Sequence, residues 1–269
     1  MIDNKVLQMG KFFPLERRRQ IVERVRRFGR VTVDELAQAF KVSGATIRRD
    51  LELLEGQGLV TRTHGGALSQ ARVGFEPDYF REKRRLESEK RHIARRAAAL
   101  VEEGDVIFLE ASTTVLHMVP FLRNLRQVTV MTNSVEIAQG LADGSELTVI
   151  VTGGTLRRRT NALIGALADA VLDQVKVDKA FMGISALDPQ RGIATPALDE
   201  ARTKKQIAQA GRRVIGLCDH SKVPRHNFAF VMPLTELDTL ITDDQTPAGI
   251  VQDVREAGVE VIVAGTGES

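Results

Sequence analysis

The chain has 269 residues, 43% hydrophobic and 27% charged, which is the make-up of a folded globular protein longer than one average domain. Its longest uncharged apolar stretch, Val115 to Leu122, falls far short of the roughly 20 residues of a membrane helix, and no signal peptide is evident, so a cytoplasmic protein is expected. The net charge of +3 conceals a division: residues 1 to 72 hold 14 Lys and Arg against 8 Asp and Glu, a net of +6, and the remainder is −3. In that head Arg outnumbers Lys by 11 to 3. A basic head on a mildly acidic body fits polyanion binding at one end, with a solvated charged face as the alternative.

Leu15, Ile21, Val22, Val25 and Phe28 recur near helical spacing, and Gly29 closes this first helix. Thr32-Val33-Asp34-Glu35 is a capping box that opens a second, short helix with Leu36, Ala37 and Phe40 on its buried stripe. Lys41-Val42 forms a tight connection, and Ser43 caps a third helix, Gly44 to Glu55. On that helix Ile47, Leu51 and Leu54 share one face, with Ala45, Arg49 and Glu52 opposite. Three short helices with a tight second turn spell helix-turn-helix. The third has the character of a recognition helix: Gly44 and Ala45 allow close approach to a groove, and Arg48 and Arg49 reach phosphate or guanine. Gly56-Gln57-Gly58 ends it, and Leu59 to Leu68 reads as two short strands about a glycine turn, a wing carrying Arg62 and His64. His64 is either a solvated loop histidine or a contact to phosphate or minor groove.

The run Val42 to Leu51, with Thr63-His64-Gly65-Gly66-Ala67 after it, resembles the signature of the DeoR-type family of bacterial transcriptional regulators, which includes repressors of the glycerol-3-phosphate regulon type. The resemblance implies binding of double-stranded operator DNA through Ser43, Thr46, Arg48 and Arg49.

Residues 1 to 72 are thus expected as a winged helix-turn-helix domain and residues 73 to 87 as a linker, on Gly74, Pro77 and the charge run Arg81 to Arg85. Phe75, Tyr79 and Phe80 pack against a domain or a partner chain, or form a satellite cluster. Ser88 caps a helix that buries Ile93, Ala97, Leu100 and Val101. Residues 88 to 269 form an α/β domain for effector binding and oligomerisation, in which seven apolar runs alternate with helical patterns. The runs are Val106 to Leu109, Val128 to Met131, Leu147 to Val151, Lys179 to Met182, Arg213 to Leu217, Thr239 to Ile241 and Val259 to Val263. They predict a mostly parallel sheet buried on both faces, and Cys218, the one cysteine, reads as a small buried hydrophobe.

In such sheets ligands bind beyond the carboxyl ends of the strands. There stand Glu110-Ala111-Ser112-Thr113-Thr114, Thr132-Asn133-Ser134, Thr152-Gly153-Gly154-Thr155 and Asp219-His220-Ser221-Lys222. Each hydroxyl alone is more often a helix cap, but together with Lys204, Lys222 and the segment from Arg157 they offer the donors and cations of a phosphate site. The same stretches resemble the DeoR-type effector domain, similar in fold to ribose-5-phosphate isomerase, which implies sensing of a phosphorylated sugar or polyol. The matching positions are Thr113, Thr114, Thr132, Asn133, Gly153, Gly154, Lys204, Asp219, Ser221 and Lys222. Glu110 and Ser112 stand where the family has Asp and Gly, and are expected to reshape the sugar pocket.

The leading reading is a repressor of sugar or polyol genes, without metal or cofactor, released from its operator by the effector. Two-fold half-sites require a homo-oligomer, dimer or tetramer. A sugar-phosphate isomerase-like enzyme with a DNA-binding head is the alternative, with Glu110, Asp219 and Lys222 near the pocket. An architectural DNA protein would need basic charge beyond the head. Motif specificity favours a regulator that is not an enzyme.

Overall fold

The computed structural model describes residues 13–28, 30–56, 59–63, 65–69, 79–142 and 146–265. The chain divides into two compact units, Met1–Arg72 and Val73–Ser269.

The first unit runs through α1 (Pro14–Phe28), β1 (Arg30–Thr32), α2 (Val33–Phe40), α3 (Gly44–Gly56), β2 (Val60–Thr63) and β3 (Gly66–Ser69). Proline suits the first position of α1, where a backbone N–H would have no helical partner. The capping box closes in both directions: Thr32 N–H donates to the Glu35 carboxylate at 2.8 Å and Glu35 N–H to Thr32 Oγ1 at 3.2 Å. Lys41 ends α2 in the left-handed region, φ 52°, and turns the chain into α3. Ile21, Val25, Leu36, Ile47, Leu51 and Val60 pack together as the core of this unit. Leu15 and Phe28, expected on the apolar side of α1, are 62% and 42% exposed and lie off that core. Strand β1, which the sequence pattern did not reveal, pairs antiparallel with β3, and β3 with β2. Glycine at 66 permits this approach, since a Cβ there would stand 2.0 Å from the Val31 carbonyl oxygen. Gly29, Gln57, Gly58 and His64 lie outside the described residues.

The second unit opens with α4 (Tyr79–Arg84) and α5 (Glu87–Ala98). Part of the expected linker is therefore helix, with Tyr79 buried; Gly74, Phe75 and Pro77 lie outside the described residues. Ser88 sits inside α5 and does not cap it, because the N-cap is Leu86 at φ 51°. There follow β4 (Val106–Leu109), α6 (Thr113–Leu116), α7 (Val119–Leu122), β5 (Arg126–Thr132), α8 (Val135–Ala142) and β6 (Glu146–Val151). A hairpin of β7 (Thr155–Arg157) and β8 (Ala162–Ile164) leads into α9 (Ala166–Leu172) and β9 (Val177–Gly183). Then come β10 (Ala186–Asp188), β11 (Gly192–Thr195), α10 (Leu198–Ala210), β12 (Gly211–Cys218), β13 (Ala229–Met232), β14 (Thr239–Asp243), α11 (Ala248–Glu256) and β15 (Glu260–Ala264).

All seven predicted runs are strands of one parallel sheet in the order β15-β14-β12-β9-β4-β5-β6. Alternate side chains of a strand face opposite ways, and here they enter two separate cores. Phe108, Val214 and Cys218 join one core with Leu172, Ile207 and Val254 of α9, α10 and α11. Ile107, Leu109, Ile215 and Leu217 join the other with Ile93, Val115, Leu122 and Ile137 of α5, α6, α7 and α8. Burying each large side chain contributes about 1.5–3 kcal/mol. Burial on both faces fails at edge strand β6, where Ile150 and Val151 are 44% and 42% exposed. The antiparallel sheet β10-β11-β13 was not foreseen. No helix of the described residues is long and apolar enough to cross a membrane.

The strand order positions the ligand site. The chain lays β4, β5 and β6 outward in one direction, then returns to place β9 on the other side of β4 and builds β12, β14 and β15 the opposite way. The connections leaving β4 and β9 diverge, which opens a crevice beyond their carboxyl ends.

Candidate functional site

In the first unit, Ser43 Oγ accepts from Thr46 N–H at 3.2 Å and lies 2.9 Å from Thr46 Oγ1, which caps α3. Ile47, Leu51 and Leu54 are buried, while Ala45, Arg48, Arg49 and Glu52 face outward, so one face of α3 is free to meet a partner. Gly44 has a packing role in addition: a Cβ would stand 3.2 Å from Val33 Cγ1. Behind the exposed face Asp50 is buried and accepts from Arg17 Nε at 2.6 Å, tying α3 to α1. In the wing, Arg62 is exposed; its N–H donates to Glu55 at 2.9 Å and its guanidinium lies 3.9 Å from the same carboxylate.

In the second unit, a cavity of about 100 Å³ lies at the β4/β9 reversal. The α6 end supplies Ser112, Thr113 and Thr114; the β9 end supplies Gly183, Ile184 and Ser185; the loop after β12 supplies Lys222, Arg225 and Asn227. Helix α10 adds Glu200 and Lys204, the β7–β8 turn adds Arg159 and Thr160, and α4 adds Tyr79 and Glu82. Four cations thus border the cavity against two carboxylates. The Arg225 guanidinium borders the cavity, and burial pulls its pKa down although the Glu82 carboxylate opposes the shift. Both amide atoms of Asn227 are buried and unpartnered among the described residues. Such groups are costly to bury unmatched, and they present donors and an acceptor to whatever enters.

The other cations are engaged. Lys204 donates to Glu110 at 2.8 Å and to the Gly183 carbonyl at 2.8 Å, and Gly183 N–H donates to the second Glu110 oxygen at 2.9 Å. Lys222 donates to Glu82 at 2.6 Å. Burial alone would raise the Glu82 carboxyl, but Lys222, then Lys90 and Arg85, outweigh it and hold the pKa at about 2. Lys90, fully buried, is lowered by desolvation to about 8 although Glu82 opposes the shift. Burial, then the hydrogen bond to Glu136, raises the Tyr79 phenol.

Residues 17–73 match the family described as DeoR-like helix-turn-helix domain, and residues 86–244 match DeoR C terminal sensor domain. The chain belongs to the DeoR family. The HTH-type transcriptional regulator GlpR of Haloferax volcanii is 38% identical over 93% of this chain and 97% of its own length. The glycerol-3-phosphate regulon repressor of Escherichia coli K12 is 30% identical over 91% of this chain and 97% of its own. Ribose 5-phosphate isomerase A of Methanocaldococcus jannaschii superposes with a TM-score of 0.38 at 21% identity, over 51% of this chain and 54% of that one, a likeness too slight to bear on function.

Of the positions singled out in this DeoR-type sensor domain, Ser112, Thr113, Thr114, Lys204 and Lys222 line the cavity. Glu110 and Asn133 border a smaller adjoining one with Lys204. Asn133 Oδ1 accepts from Ala111 N–H at 2.8 Å and its amide donates to the Leu163 carbonyl at 3.3 Å, so it holds the first loop in place. The remainder support the site from outside. Thr132 is fully buried, donating to the Leu109 carbonyl at 2.6 Å and accepting from Ser134 N–H at 3.0 Å. Gly153 and Gly154 adopt φ +71° and +115°, and a Cβ on Gly154 would meet the Ile164 carbonyl at 2.7 Å; they shape a turn. Asp219 accepts from the Ser221 N–H at 3.0 Å and from its hydroxyl, capping the short turn that carries Lys222. Glu110 is not a free carboxylate, for the reason given above. Tyr79, Glu82, Arg225 and Asn227 were missed; the last two were signalled by the polar run continuing past Lys222 as Pro224-Arg225-His226-Asn227.

Proposed function

We propose that this chain is an effector-responsive repressor of sugar or polyol genes. Residues 1–72 bind double-stranded operator DNA with Ser43, Thr46, Arg48 and Arg49 of α3, assisted by Arg62 and His64 of the wing. The sensor, beginning at or before Tyr79, takes a phosphorylated sugar or polyol: Lys222 and Arg225 meet the phosphate, while Asn227 and Thr113 meet hydroxyls. The protein acts in the cytoplasm as a homo-oligomer and uses no metal or cofactor. The observation carrying this reading is the convergence of Arg225 and the unpartnered Asn227 amide in the cavity beside Lys222.

A regulator, not an isomerase, is favoured by Glu110. Of the carboxylates the isomerase reading names at the pocket, Glu110 has both oxygens engaged by Lys204 and Gly183, which removes it as a proton acceptor; Glu200 also lines the cavity. Incubation with triose, pentose and hexose phosphates tests both points. Saturable binding by calorimetry without product is expected, and steady turnover would overturn the non-enzymatic reading.

A further inference from the structure

The cavity contains an anion of the protein's own. Glu82 projects from α4 onto Lys222 at 2.6 Å, with Lys90 at 3.7 Å and Arg85 at 3.6 Å around the same carboxylate. Lys90 also donates to the backbone carbonyl of Glu82. Six residues are too few for a helix to stand alone, Phe80 is 67% exposed, and Tyr79 is the buried residue of the helix. The hold on α4 is therefore largely polar, and besides Lys90 on the Glu82 carbonyl two carboxylates fasten it. One is Glu136, which accepts from the Tyr79 hydroxyl at 2.6 Å and pairs with Lys83. The other is the Glu82 carboxylate on Lys222, at the place where an entering phosphate would find its cation.

We propose that Glu82 is a resident stand-in for the effector's phosphate, that ligand binding displaces it from Lys222, and that the displacement releases α4. This rests on the reading of the cavity as an anion site. A phosphate carries about −1.5 to −2 at neutral pH against the single charge of a carboxylate, and it can engage Arg225 in the same step, so the exchange favours the ligand. Helix α4 is the first described element after residues 70–78, which lead from the DNA-binding unit, so its release acts on the chain that connects to the head. Glu82 also explains how binding acquires a preference between states: the ligand binds the α4-released form better because only there is Lys222 open.

The test uses the full-length protein with inorganic phosphate and glycerol 3-phosphate as probes. Glu82→Gln keeps the shape but removes the competing charge, and calorimetry should show about tenfold tighter binding of the better probe than in the native protein. Hydrogen exchange on the native protein provides an arm that needs no variant. Saturating probe should speed exchange of amides 79–85 by about tenfold while slowing exchange in 113–116. Saturable binding with Glu82→Gln equal to or weaker than native, or amides 79–85 unchanged or protected, would overturn the displacement and leave the anion site standing. No saturable binding of either probe to either protein would overturn both.

Discussion

In the proposed reading Arg49 and Lys222 carry the two recognition events, and each is set up by neighbours outside the site. Arg49 is exposed because Ile47, Leu51 and Leu54 commit the opposite face of α3 to the core. Arg49→Ala should weaken operator binding by about 1–3 kcal/mol in gel retardation and leave effector affinity unaltered. Lys222 is aimed by the Asp219–Ser221 cap. Lys222→Ala should retain operator binding but no longer release DNA when a polyol phosphate is added; normal release would remove Lys222 from the site. His220 lies between them in the same turn. Its Nδ1 is 2.9 Å from Asp243, and that hydrogen bond raises its pKa above the ordinary 6.5. A raised folded pKa gives stability that is complete below the unfolded value and lost as pH rises through the folded one. Melting temperature should therefore fall as pH rises above about 6.5, and His220→Gln should flatten that slope.

Among the elements, α3 and α4 show opposite ways of holding a short helix. Helix α3 is clamped by apolar packing and by the buried Arg17–Asp50 pair, with side chains 9% and 7% exposed. Removing one partner leaves a buried charge, so Asp50→Ala should cost about 3–5 kcal/mol in denaturant unfolding. A loss below about 1 kcal/mol would mean that Arg17 reorients to water. Helix α4 is held by polar anchors. It was illegible in the sequence for that reason: its charge run Arg81 to Arg85 reads as a linker, and the partners that order it, Glu136 and Lys222, lie 57 and 140 residues away in the chain. The seven strands were legible because central strands buried on both faces show as continuous apolar runs. Their order was not, since apolar runs say nothing about which neighbour each strand takes. The β4/β9 reversal decided which hydroxyl-bearing strand ends line the cavity, retaining Thr113 and Thr114 and leaving Thr132 and Gly153 outside.

For the whole molecule, the net charge of +3 is the sum of a basic first unit and a mildly acidic second one that concentrates cations in one cavity. If effector and operator select different states, each must weaken the other by the same factor. Titrating a polyol phosphate against free protein and against the protein–operator complex should give a ratio of affinities equal to the ratio of operator affinities with and without the metabolite. Unequal ratios would exclude a single linked equilibrium. The two cores, one on each side of the sheet, add a different consequence. The cavity is assembled from loops beyond the strand ends, so its residues can be exchanged while Phe108, Ile107 and Ile215 stay as they are. A lineage can thus alter which metabolite it answers to without passing through an unstable ancestor. In this chain the Glu110 carboxylate is held by Lys204, and glycine at 183 leaves room for the Ser112 hydroxyl, since a Cβ there would lie 1.9 Å from it.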